Sequence, residues 1–126
     1  MGLKNIVIVV EDIKESVQFY HDMFGLHVIL DGGDNVMLTE GLVLQSAGVW
    51  KEQFGSDVSF YHNASVLYFE EPDLEAFLSK LDRAQPSVRY VTKLTGNSWG
   101  RRMIRIYDPD GHLIEVSERK RIQYTD

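Results

Sequence analysis

Two periods of apolar residues run along the chain. Residues 4–10 (Lys-Asn-Ile-Val-Ile-Val-Val) are β-branched and end at Glu11-Asp12, which predicts a buried strand. Asp12-Ile13-Lys14-Glu15 then makes a capping box, with Asp12 accepting from the amide three residues on. Val17, Phe19-Tyr20 and Met23-Phe24 follow at helical spacing, and Gly25 supplies a left-handed stop. Strands are predicted near 27–31, 35–39 and 42–46, separated by Asp31-Gly32-Gly33-Asp34 and by Glu40-Gly41. The order then repeats. Residues 65–70 predict a strand, and Pro72-Asp73 opens a helix whose apolar face is Phe77, Leu78 and Leu81. Strands near 88–92, 102–107 and 112–117 complete the copy, the last two joined by Asp108-Pro109-Asp110-Gly111.

The chain therefore reads as two copies of strand–helix–strand–strand–strand. Asp12 matches Asp73 as the helix cap. Counting back seven from each cap matches Asn5 with Val66. Gly41-Leu42-Val43-Leu44-Gln45 matches Gly111-His112-Leu113-Ile114-Glu115. The expected architecture is one α+β domain over 1–126. Its first module is about 3–50, its second about 62–118, and a short polar tail covers 119–126. A ferredoxin-like sandwich is the rival, but it has fewer strands and leaves the Gly41/Gly111 match without a reason.

Composition narrows the chemistry. With no cysteine, a disulfide scaffold, a thiolate zinc site and a cysteine nucleophile are all excluded. Thirteen basic against 19 acidic side chains give a net charge of −6, with no electrostatic footprint for nucleic acid or an anionic membrane. The basic run in Glu118-Arg119-Lys120-Arg121 reads as a solvated C-terminal extension. The apolar run Ile6–Val10 is too short for a signal peptide or a membrane span, so a cytoplasmic protein is expected.

The capped helix ending in Phe24-Gly25-Leu26, the stretch Leu67-Tyr68-Phe69-Glu70-Glu71, Trp99-Gly100-Arg101-Arg102 and Tyr107-Asp108-Pro109-Asp110-Gly111-His112-Leu113-Ile114-Glu115-Val116 carry a resemblance over roughly residues 3 to 118. The chain resembles the vicinal oxygen chelate superfamily, the glyoxalase/bleomycin-resistance/dioxygenase group. That resemblance implies paired βαβββ modules whose sheets curl into a concave cleft, with the helices on the convex side. It also implies a symmetric homodimer and a cleft metal held from the first and last strand of each module. Carried over, the four metal positions are Asn5, Gln45, Val66 and Glu115. Glu115 alone keeps a charged ligand, Val66 offers none, and the two amides suit only hard ions such as Mg²⁺ or Ca²⁺. No metal or other cofactor is expected, the alternative being one divalent ion. His21, His27, His62 and His112 do not restore the set and read as surface or supporting residues.

Period-two alternation places Ile104, Ile106, Ile114 and Val116 toward the helix. It leaves Met103, Arg105, Tyr107, Leu113, Glu115 and Ser117 toward the cleft, joined by Asn5, Val7, Val43, Gln45 and Tyr68. A few polar groups among aliphatic and aromatic ones are the make-up of a small-molecule pocket. Asn5, Gln45, Tyr68, Trp99, Arg105, Tyr107 and Glu115 are the candidate ligand-binding residues, Arg105 and Gln45 facing the ligand and Glu115 orienting the arginine. Each also has a purely structural reading: a self-satisfying ion pair, amides serving the backbone, aromatics serving the core. Glu11, Glu70 and Glu71 read as solvated. The function expected is a binding protein that sequesters or senses a small, partly aromatic or anionic compound. The alternatives are an enzyme of the same superfamily (lyase, isomerase or dioxygenase) with Glu115 as metal ligand or general base, and an interaction module with no ligand.

Overall fold

Each half of the chain folds as one βαβββ module, in the order that the alternating and helical periods predict. The computed structural model describes residues 1–96 and 100–119. The first module contains β1 (Ile6–Val10), α1 (Ile13–Phe24), β2 (Val28–Asp31), β3 (Asn35–Leu38) and β4 (Leu42–Ser46), followed by a further helix, α2 (Ala47–Phe54). The second contains β5 (Leu67–Glu71), α3 (Leu74–Arg83), β6 (Tyr90–Gly96), β7 (Arg102–Tyr107) and β8 (Leu113–Glu118). Two four-stranded sheets result, ordered β1-β4-β3-β2 and β5-β8-β7-β6. In each, the first strand pairs in parallel with the last and the other pairings are antiparallel, so both sheets are mixed. The architecture is α+β. The described residues divide into two compact units, one of residues 1–62 with Pro109–Gly111, the other of those from 63 to 108 with those from His112 to Arg119.

In the first unit, Asp12 caps α1 by accepting from the Glu15 N–H at 3.1 Å, and Gly25 ends it in the left-handed region, φ 69°. Tyr20 and Met23 are buried on its inner face, and the helix packs against β4. Val10, Val36, Leu38 and Leu44 close the interior beside them. Asp110 belongs to this unit too: its carboxylate accepts from the Glu11 N–H at 3.1 Å and from the Ser16 hydroxyl at 3.4 Å.

In the second unit, Asp73 caps α3 by accepting from the Ala76 N–H at 3.0 Å. Leu74, Phe77 and Leu81 are buried, as are Ile104, Ile106, Ile114 and Val116 from alternate positions of β7 and β8. Burial of each such side chain contributes roughly 1.5–3 kcal/mol.

Helix α2 is not predicted by the pattern. Its stop is Gly55, in the left-handed region at φ 72°, and Trp50 stacks on Phe54 with ring centroids 4.3 Å apart. The strands also shift by a few residues: β1 starts at Ile6 rather than at residue 4, and β6 runs on to Gly96 rather than stopping near 92. No helix among the described residues is long and apolar enough to cross a membrane.

Candidate functional site

Strand register in the second unit lines up a row of chemistry. Tyr68 on β5 is opposite Glu115 on β8, Glu115 is opposite Arg105 on β7, and Arg105 is opposite Thr92 on β6. Directly paired residues share one face of a sheet, so these four side chains form a line across all four strands. It is the face opposite Ile104, Ile106, Ile114 and Val116. Arg105 donates from Nε to Glu115 Oε1 at 3.0 Å, with side chains 36% and 14% exposed. Each charge offsets part of the cost of withdrawing the other from water. The remaining guanidinium donors of Arg105 have no partner among the described residues. Tyr68 is 41% exposed.

The neighbouring residues on this face set its extent. Tyr107 is half-buried, and its hydroxyl donates to Asn63 Oδ1 at 3.1 Å. Asn63 sits in the left-handed region, φ 56°, a conformation that asparagine tolerates better than most residues. Met103 and Ser117 are opposite each other on this same face, and are buried at 2% and 0% exposure. Glu70, opposite Ser117, is not simply solvated: it accepts from Arg101 Nη1 at 3.2 Å and also pairs with Arg119. Arg101, Asn63 and Thr92 are thus polar members of this face that alternation from Arg105 and Glu115 alone does not find. Glu71 likewise has a local task, accepting from the Asp73 N–H at 3.1 Å. Trp99 lies outside the described residues, as do residues 120–126 of the expected C-terminal extension.

The first unit repeats the geometry with different side chains. Val7 is opposite Val43, Val43 opposite Met37 and Met37 opposite Leu30. Even the irregularity in register recurs: Val28/Leu30 against β3 matches Tyr90/Thr92 against β7. By register, then, Val43 and not Gln45 is the counterpart of Glu115. The sequence match through Gly41 and Gly111 fails because the two hairpins differ in length. Leu38 and Leu42 are joined by the three-residue 3₁₀ turn Thr39–Gly41, whereas residues 108–112 connect Tyr107 to Leu113.

Gln45 pairs with Val9 and Asn35, whereas Asn5 lies beside Gly41, where an added Cβ would be 3.6 Å from Asn5 Oδ1. Asn5 is four residues before Val9, or about 13 Å along the strand, so these two amides do not converge. Val66 has no donor atom, and Glu115 Oε1 is already engaged by Arg105. This donor set does not fit a catalytic metal, which wants about three imidazole or carboxylate ligands around an open position.

Comparison with known proteins agrees with this fold. The family described as "Glyoxalase-like domain" matches residues 3–120. A protein of unknown function from Agrobacterium tumefaciens strain C58 is 31% identical, with 95% of each chain covered and a TM-score of 0.78. A glyoxalase-related enzyme from Fulvimarina pelagi is 17% identical over 94% of this chain and 88% of its own, with a TM-score of 0.71. A glyoxalase/bleomycin resistance protein/dioxygenase superfamily member from Sphaerobacter thermophilus is 16% identical over 94% and 98%, with a TM-score of 0.69. The last two show likeness of fold alone. No curated protein matches the chain.

Proposed function

The chain belongs to the glyoxalase-like domain family, and from that premise we propose that it is a metal-free binding protein for a small, partly aromatic, anionic or carbonyl-bearing compound. One observation carries this reading: Arg105 is half out of water, is fixed through Nε alone, and has its other donors free among the described residues. Taking a cation partly out of water is costly, and Glu115 offsets that cost while holding the planar fork in one orientation. Tyr68, opposite Glu115, and Tyr107, two residues along β7 from Arg105, add aromatic surface with a polar end to the same face. The same contact supports Glu115 as the residue that orients the arginine, rather than as a metal ligand or a general base.

The test is a thermal-shift screen of aromatic carboxylates and aldehydes against the parent protein and Arg105→Met. Acidic compounds should raise the Tm of the parent, and that rise should vanish in the variant. If Arg105→Met/Glu115→Gln folds well and binds every hit as tightly as the parent, the pair is structural and the site lies elsewhere.

A further inference from the structure

We propose that Thr92 is a specificity-determining residue of the Arg105 site, supplying the second donor that selects a carboxylate over a neutral methyl ketone on an aromatic ligand. The inference rests on the reading of Arg105 above and adds to it a residue and a ligand class.

Thr92 Oγ1 is buried and has no hydrogen-bond partner among the described residues, the sole side-chain polar atom there in that state. Buried hydroxyls ordinarily have a partner, and one left without it invites an explanation outside the protein's own atoms. The backbone sets this residue apart as well. The β6–β7 register shifts between Tyr90 and Thr92, and again between Thr92 and Thr95, so Thr92 is flanked by irregularities on both sides. Such irregularities re-aim side chains, and here they leave Thr92 paired with Arg105 at the end of the polar row. The fold itself does not ask for a hydroxyl at that place. Its counterpart in the first sheet is Leu30, on the same kind of register shift, with no donor at all.

A carboxylate has two coplanar oxygens. One can accept from the free Nη donors of Arg105, and the other from the Thr92 hydroxyl once it turns about χ1. A methyl ketone presents one oxygen and a methyl group, so with its oxygen at Arg105 the Thr92 hydroxyl again has no partner. Sites that pair each polar atom of the right ligand discriminate strongly against an analogue that leaves one unpaired. Tyr68, at the other end of the row and 41% exposed, adds aromatic surface to the same face.

The experiment titrates the full chain with benzoate and acetophenone, and with phenylacetate and phenylacetone, following amide shifts by NMR. The parent should bind at least one acid about tenfold more tightly than its ketone, the value of one good charge-assisted hydrogen bond. Thr92→Val should erase most of that preference by weakening the acid, without lowering Tm, since it removes an unpaired hydroxyl rather than a contact. Thr92→Ser should keep the preference, and Thr92→Ala should lose it should the valine variant not fold. If both hydroxyl-free variants retain the preference while Arg105→Met abolishes it, the role of Thr92 is overturned and the arginine reading stands. If the parent prefers neither acid, or Arg105→Met binds like the parent, both readings fall.

Discussion

Arg105 and Glu115 hold each other, and the energetics of the two single substitutions are not symmetrical. Glu115 has the less exposed side chain, 14% against 36%, so removing the arginine strands the more buried charge. Arg105→Met is therefore expected to destabilise by about 1–3 kcal/mol, the usual cost of leaving a buried polar partner unpaired. Adding Glu115→Gln in the same chain removes the stranded charge and should restore most of that loss. Urea unfolding of the three proteins measures it. A double variant less stable than Arg105→Met would mean that the carboxylate is anchored by something other than the arginine.

The helices test how far local sequence governs the elements. Asp12 and Asp73 both accept from the amide three residues on, as their place before an apolar helical run predicts. Ser46 stands at the same position before α2 but makes no capping hydrogen bond with its side chain. Asp73→Ala should therefore cost about 1 kcal/mol, and Ser46→Ala a small fraction of that, read as urea midpoints. Helices with a cap, an apolar stripe and a stop were legible in the residues. Helix α2 was not, because it continues directly from β4 with neither a turn residue nor a capping side chain between them. Its Gly55 stop and its Trp50/Phe54 spacing were the available signals. The inward faces of β7 and β8 were legible from alternation. The counterpart of Glu115 was not, since matching letters aligns Gly41 with Gly111, whereas the β3–β4 connection is shorter than the β7–β8 connection. Thr92 was hidden for a related reason: its face depends on two register shifts that no alternation rule anticipates.

At the scale of the whole molecule, apolar side chains remain in water on both sheets. Strand β2 is one edge of its sheet and exposes Val28, Ile29 and Leu30; β6 is an edge of the other and exposes Tyr90, Val91 and Leu94. Open edges with exposed apolar residues invite pairing with another chain. A homodimer is the expected outcome, and light scattering that finds a monomer across the accessible concentration range would refute it. The two corresponding rows, Tyr68–Glu115–Arg105–Thr92 and Val7–Val43–Met37–Leu30, also have a use at this scale. Each protein molecule holds its own blank beside its sample: the same backbone pattern, once with chemistry and once without. Exchanging side chains between rows, position for position, separates what the strands impose from what the side chains recognise. Because Val7 and Leu30 are already 52% and 63% exposed, polar replacements there meet water rather than core, and the blank can be written on.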